Sequence, residues 1–454
     1  MPDLLSRLHR GELADELAGV RRLDLRPRPG QPRLTALPPA VFDLADTLEE
    51  LDLSGNALTS LPPELPRLHR LKVLFASDNP FEALPPVLGD CTALELVGFK
   101  ACRIARVEAS ALPPDLRWLI LTGNRVRELP DALGRRERLQ KLMLAGNGLT
   151  EVPDLSGCQQ LELVRLAANR LEHLPHALLD LPRLAWLALA GNPGLAGAGV
   201  GALPGDAGTL RRIEAAALQT GPVLGQGASG VIRRALWHRP GHADEPVAVK
   251  QFHAAMTSDG SPQDERAAWL AAAGGPGQIE LHGAVHGGES HGALVMALLP
   301  AAFRPLAGPP SLSSCTRDVY ADDLQLPGST LRSLARQVAA AVAHLHGCQR
   351  DHGVMHGDLY AHNLLWSGDA AAPQLFLSDF GAATGYDRRA AAKLERLEVR
   401  AFGILLGELL ERRDEATAAG EVADLVGLSE ACQSEASALR PRFAEIHDVL
   451  ERHR

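Results

Sequence analysis

The sequence predicts two unlike halves: an α/β horseshoe solenoid over residues 48–195, and an α+β domain of two lobes over residues 215–454. Three observations carry this expectation. A leucine frame recurs seven times from Leu48 onward. The composition then breaks into Gly, Ala and Pro. Beyond the break, a Gly-rich loop precedes an isolated lysine and two acidic motifs.

Composition first limits what the chain can be. Its 454 residues suffice for two or three domains, each with its own core. A net charge of −9 argues against general nucleic-acid binding, which needs a basic footprint. The cysteines (Cys91, Cys102, Cys158, Cys315, Cys348, Cys432) lie far apart with no CxxC pair, so neither a zinc site nor a disulfide framework is expected. Dispersed thiols fit a reducing compartment. The opening stretch MPDLLSRLHRGELADELAGV is broken by charges and lacks the apolar core of a signal peptide. No run approaches the roughly 18–20 apolar residues of a membrane span. A cytoplasmic location without a membrane span is expected.

Residues 1–47 read as an amphipathic helical cap and a degenerate first repeat, since an open solenoid end must be covered. The frame L-x-x-L-x-L-x-x-N-x-L then begins at Leu48, Leu71, Leu94, Leu116, Leu139, Leu161 and Leu184. Its turn position holds Asn56, Asn79, Cys102, Asn124, Asn147, Asn169 and Asn192. One short strand per repeat turns alternate leucines inward, and the Asn side chain bonds the backbone of adjacent coils. On the concave face, one column carries Val73, Leu96, Trp118, Leu163 and Trp186, and its neighbour carries Phe75, Ile120 and Met143. This apolar ridge is expected either to bind a protein partner or to pack on the chain's own second domain or a dimer mate. After Asn192 the run PGLAGAGVGALPGDAG has no helix or strand period, so residues 196–214 read as a linker.

Gly225, Gly227 and Gly230 form a GxGxxG, a weak signal alone. Here a second strand follows, not a helix, and the chain reaches VAVK at Lys250. Glycines let a backbone close over phosphates, and a lysine there pairs the α- and β-phosphates. The chain's lysines are Lys72, Lys100, Lys141, Lys250 and Lys393, so a compact ammonium falls at this position in an otherwise arginine-rich protein. Further on, the amphipathic STLRSLARQVAAAVAHLHG puts Leu331, Leu334, Val338, Val342 and Leu345 on one core-facing side. HGDLYAHN then matches H-x-D-x-x-x-x-N, and Asp379-Phe380-Gly381 follows a strand-like QLFLS.

In these motifs residues 215–454 resemble the eukaryotic-like protein kinase family, fused to leucine-rich repeats. The low-lysine composition, rich in Ala, Arg and Gly, resembles bacterial chains of high-GC coding. The resemblance implies an N-lobe over 215–299 and a C-lobe over 300–454, with ATP and Mg²⁺ as cofactors. Lys250 would pair with Glu265, with Asp264 as alternative. Met296 resembles the gatekeeper, Ala297 to Leu299 the hinge, and Ile232, Ala248 and Leu365 the residues that sandwich adenine. Asp358 would take or orient the acceptor hydroxyl's proton, with His356 packed behind the loop. Asn363 and Asp379 would ligate Mg²⁺.

The chain also departs from the family. Gly357 stands where many kinases have an Arg that meets a phosphorylated loop. Tyr360 stands where Ser/Thr kinases place a Lys, and His362 where tyrosine kinases place an Arg. The missing cation should lower the rate unless His362 or an arginine supplies charge. Only DFGAATGYDRRAAAKLERL precedes EVRAFGILLGELL, in which Glu398 takes the family's Asp place, and no A-P-E motif occurs. Arg440 matches an arginine whose usual Glu partner is missing. PAAFRPLAGPPSLSSC remodels the region after the hinge. The expected function is an ATP- and Mg²⁺-dependent protein kinase, Ser/Thr before Tyr, with the repeats recognising a protein. The competing readings are a nucleotide-binding pseudokinase adaptor and a kinase acting on a small molecule.

Overall fold

The repeat frame becomes structure through its turns. In each coil the residue before the Asn position has positive φ: Gly55, Asp78, Ala101, Gly123, Gly146, Ala168 and Gly191. Glycine adopts that left-handed turn freely, which is why S-G-N, T-G-N and A-G-N recur. Ala101 and Ala168 adopt it at a cost of about 1 kcal/mol each. The computed structural model describes residues 19–201, 210–227, 229–253, 257, 259–347, 351–388 and 393–452. Residues 1–18 of the expected cap and residues 202–209 of the expected linker lie outside the described residues. By its contacts the chain forms two units, Met1–Val164 with Asn169–Leu181, and Arg165–Ala168 with Pro182–Arg454.

The repeat strands are β1 (Arg22–Asp24), β2 (Glu50–Asp52), β3 (Val73–Phe75), β4 (Leu96–Gly98), β5 (Trp118–Ile120), β6 (Lys141–Met143), β7 (Leu163–Arg165) and β8 (Trp186–Ala188). They form one sheet in sequence order, and the pairs from β1 to β6 are parallel. The middle residue of each strand, from Leu23 to Leu187, is buried.

Asparagine does the work expected of it. The Asn56 amide donates to Leu25 O at 3.0 Å and Leu53 O at 2.8 Å, while its oxygen accepts from Leu34 N at 2.9 Å. Asn79 and Asn124 repeat the pattern one and three coils later. Cys102 keeps only a weak version, its Sγ donating to Ala76 O at 3.4 Å. A thiol cannot supply the amide's acceptor. Chain return on the outer side is by 3₁₀ turns, such as Pro39–Leu44 and Pro86–Asp90, and by the short helix α1 (His176–Leu179).

In the second unit β9 (Val200–Gly201) and β10 (Arg212–Glu214) precede a hairpin, β11 (Leu218–Gln226) and β12 (Gly230–Trp237), then β13 (Glu245–Phe252). The linker expectation is therefore corrected at both ends. Val200–Gly201 pairs antiparallel with Gly385–Tyr386, and Arg212–Glu214 pairs parallel with Ala284–His286. Backbone pairing needs no side-chain pattern, so Gly-rich sequence hid it. Helix α2 (Pro262–Ala272) starts at Ser261, whose Oγ accepts from Asp264 N. With β14 (Leu281–His286) and β15 (Leu294–Ala297) the sheet order is β10-β14-β15-β13-β12-β11.

The remainder is mostly helical. β16 (Arg304–Pro305) lies in the Pro-rich insertion. Then come α3 (Gly328–Gly347), β17 (His352–Met355), β18 (Leu364–Trp366), β19 (Leu375–Leu377), β20 (Thr384–Asp387), α4 (Lys393–Leu410), α5 (Ala423–Cys432) and α6 (Phe443–Arg452). The predicted face of α3, Leu331, Leu334, Val338, Val342 and Leu345, is fully buried. Strand β20 is central in β17-β20-β9, and β18 is central in β16-β18-β19. No described helix is long and apolar enough to cross a membrane.

Candidate active site

Strand register builds the first half of the site. Lys250 lies opposite Ile232 on β12 and Leu294 on β15, two residues before β13 ends. Its ammonium is buried on the Glu265 carboxylate of α2. The alternative, Asp264, is excluded by the cap, because its carboxylate accepts the Ser261 hydroxyl at 2.7 Å. Ala248 faces Met296 across the strands, and Val247 faces Ala297. Leu299 follows β15 half-buried, and Leu365 lies on β18 in a different sheet. The glycines divide by role. A Cβ on Gly230 would strike the Gln251 backbone, so that glycine serves strand packing. One on Gly225 or Gly227 would meet nothing within 4 Å, leaving space for a phosphate chain.

The second half lies on the loop after β17 and on the segment between β19 and β20. Buried His356 fixes its own orientation: Nε2 donates to Ser378 O at 2.9 Å and Nδ1 accepts from Asp358 N at 3.3 Å. The Asn363 amide nitrogen donates to Asp358 O and Oδ2, both at 2.9 Å. That leaves the amide oxygen for a cation. Asp379 has φ 51°, a strained backbone for a non-glycine. Phe380 is buried edge-on to Trp269 of α2 at 4.8 Å and beside His356 at 5.0 Å, so it ties helix α2 to the loop after β17.

Residues 218–402 match the family described as protein tyrosine and serine/threonine kinase. Residues 47–68 and 137–193 match leucine-rich-repeat families. This chain joins leucine-rich repeats to a protein-kinase domain. The mouse Non-receptor tyrosine-protein kinase TNK1 is 30% identical over 172 residues, 36% of this chain and 23% of that protein. Human Leucine-rich repeat-containing protein 58 is 36% identical over 104 residues, 22% of this chain and 28% of that protein. Human PH domain leucine-rich repeat-containing protein phosphatase 1 is 32% identical over 93 residues, 20% of this chain and 5% of that protein. The chain thus spans less than a third of each relative's length.

The kinase domain's departures have local causes. Gly357 has φ 74°, and a Cβ there would sit 2.6 Å from Ala382 O and 2.7 Å from Leu187 O. No arginine can occupy that place, because two backbones close over it. Glu398 on α4 accepts His356 N at 3.0 Å and Gly357 N at 2.8 Å, with His346 Nε2 3.0 Å away. Arg440 finds carbonyls in place of a carboxylate: Ser434 O at 2.8 Å, Pro182 O at 2.8 Å and Arg396 O at 3.1 Å. Burial, with Arg400 and Arg396 nearby, pushes its guanidinium down to about 10. His362 is held by Asp318, which takes its N–H at 3.0 Å and Nδ1 at 2.7 Å. Burial pulls the imidazole down, but the Asp318 bond and the charges of Asp358, Asp318 and Asp379 raise it overall.

The concave ridge is only partly as expected. Val73, Phe75, Trp118, Ile120 and Met143 are half-buried, whereas Leu96, Leu163 and Trp186 are buried. Trp186 is unavailable to a partner. It lies flat on Tyr360, ring centroids 4.2 Å apart, and its Nε1 donates to Leu359 O at 3.1 Å. The site also includes Arg165, Asp259 and Asp318, which motif reasoning missed. For Arg165 one signal existed: a charged residue in the column of Phe75, Ile120 and Met143.

Glu408 on α4 gives a pH prediction. It accepts the Tyr320 hydroxyl at 3.0 Å, while its Oε1 has no hydrogen-bond partner among the described residues. Burial, reinforced by Asp318, pushes its carboxyl up to about 7. A raised folded value favours the protonated form, so the contribution is full below about pH 4.5 and lost as pH rises through 7. Urea unfolding should show ~2–3 kcal/mol of stability lost over that window, absent in Glu408→Gln. Equal pH slopes in both proteins would refute the assignment.

Proposed function

We propose that the chain is an ATP- and Mg²⁺-dependent protein kinase whose repeats recognise a protein. The observation that carries this is the paired Lys250–Glu265 together with Asp358 and Asn363 on one loop and Asp379 between β19 and β20. Gly225 and Gly227 leave backbone space for the phosphates, and Lys250 supplies the charge for the α- and β-phosphates. Asp379 and the Asn363 oxygen are hard oxygen donors, suited to a cation that takes its other ligands from phosphate and water. Bound Mg²⁺ would neutralise charge developing on the phosphates. Asp358 accepts the acceptor hydroxyl's proton as its oxygen bonds the γ-phosphorus and the bond to the bridging oxygen of ADP breaks.

Serine or threonine is the proposed acceptor, although both positions that mark acceptor class depart here, the Ser/Thr-type lysine to Tyr360 and the tyrosine-type arginine to His362. The half-buried Val73, Phe75, Trp118, Ile120 and Met143 are the proposed partner surface. The test is transfer from radiolabelled ATP with Mg²⁺ in wild type, Lys250→Met and Asp358→Asn, followed by phosphoamino-acid analysis. Labelling should fall to background in both variants, with the wild-type label on serine or threonine. Equal labelling in all three would sink the catalytic assignment, and phosphotyrosine alone would overturn the acceptor class.

A further inference from the structure

Position 360 cannot supply the charge that a lysine would bring there. Tyr360 is stacked on Trp186 with planes 7° apart, and its buried hydroxyl has no hydrogen-bond partner among the described residues. Burial, then the charge of Asp358, pushes the phenol well above its ordinary value, so it stays neutral.

Asp358 has a cation nonetheless. Arg165, the last residue of β7, points its guanidinium into the catalytic loop, with its side chain only 2% exposed. Nη2 bonds Asp358 Oδ1, Nη1 donates to Gly357 O at 2.9 Å, and Nε donates to Asp259 Oδ1 at 2.8 Å. We propose that Arg165 is a positioning residue of the phosphoryl-transfer site, holding the Asp358 carboxylate and placing a permanent positive charge beside the acceptor hydroxyl. The inference rests on the kinase reading above.

Geometry favours this role over a blocking one. Each carboxylate oxygen of Asp358 takes one bond, Oδ1 from Arg165 and Oδ2 from Asn363, so each keeps a lone pair. The Asp358 side chain is still 18% exposed, enough for a hydroxyl to reach it. The nucleotide side is assembled at the same time: Lys250 lies on Glu265, and Phe380 is packed between Trp269 and His356. The residue type fits too. A planar fork serves three acceptors at once and stays charged when buried, whereas an ammonium could not span Asp259, Gly357 and Asp358 together. Asp259 and Asp358 flank the one guanidinium, so the buried cation is compensated on two sides while the cluster keeps a net negative charge.

In the transfer step Arg165 neither gives nor takes a proton. The acceptor's proton goes to Asp358, and Arg165 keeps that carboxylate turned toward the hydroxyl.

The test is steady-state transfer from ATP to dephosphorylated casein by the full chain, comparing wild type, Arg165→Ala, Arg165→Lys and Asp358→Asn. Arg165→Ala should lose ~100-fold in kcat, the scale for removing one electrostatic donor, with KM for ATP changed less than about twofold. Millimolar guanidinium should restore part of the Arg165→Ala rate, and Arg165→Lys should retain more activity than Ala. Activity of Arg165→Ala at or above wild type would overturn the proposal in favour of a block on Asp358. A loss that neither guanidinium nor Lys relieves, matched by a lowered melting temperature, would make Arg165 merely structural. Wild type no faster than Asp358→Asn would instead remove the kinase reading and this inference with it.

Discussion

Trp186→Ala is expected to destabilise the kinase unit by about 3–5 kcal/mol and to abolish phosphoryl transfer, whereas Trp118→Ala does neither. Both tryptophans occupy the same repeat column, so sequence alone gives them one role. Their surroundings differ. Trp186 is 1% exposed, stacks on Tyr360 and donates to Leu359 O, the two residues that follow Asp358. Removing it opens a cavity under the catalytic loop and frees Tyr360 to move. A shift of 1 Å at a reacting group costs ~100-fold. Trp118 is half-buried, with Lys141 over its ring at 4.1 Å and Met143 Sδ 3.3 Å from its Nε1. Trp118→Ala should reduce labelling of a recruited substrate while sparing autophosphorylation. Trp186→Phe, which keeps a stacking ring but loses the donor, should cost about 1 kcal/mol. Urea unfolding and autophosphorylation measure all three, and unchanged activity in Trp186→Ala would break the link between this ring and the loop.

Why the sequence left Trp186 between partner binding and packing on the chain's own second domain follows from distance along the chain. The repeats were legible because their pattern is local: each leucine, each Asn and each positive-φ turn recurs within one coil. The residues proposed to handle phosphate could be picked out because Gly-rich loop, Lys250, Asp358, Asn363 and Asp379 each sit in a short motif. Trp186 and Leu359 meet across 173 residues, and Arg165 and Asp358 across 193. No periodicity encodes such a pair. Gly357 shows the same limit in another form. Its lack of a side chain reads as a lost phosphorylation switch, but the backbones of Ala382 and Leu187 leave no room for any side chain there. Arg440 likewise reads as a residue without its partner, and it is satisfied by three carbonyls that no sequence pattern marks.

Glu398→Ala should cost about 3–5 kcal/mol and take catalysis with it. The Glu398 carboxylate is 1% exposed and accepts both His356 N and Gly357 N, the backbone immediately before Asp358. Alanine leaves two buried N–H groups without acceptors, each worth about 1–3 kcal/mol. Glutamine is not a mild replacement. It offers one acceptor oxygen and turns an NH₂ toward the other N–H, so about 2 kcal/mol should still be lost. The pH dependence separates this site from Glu408 on the same helix. Burial pushes the Glu398 carboxyl up, but the His346 bond and charge and the His356 N–H together hold it below the usual range. Its contribution is therefore present above about pH 4.5 and lost as pH falls through the lowered folded value. Glu408 acts in the opposite sense, losing stability as pH rises toward 7. Stability of the kinase unit should accordingly decline on both sides of mildly acidic pH, with the acid limb missing in Glu398→Gln and the neutral limb missing in Glu408→Gln. Urea midpoints from pH 3 to pH 8 read both limbs, and an acid limb surviving in Glu398→Gln would assign it to another carboxylate.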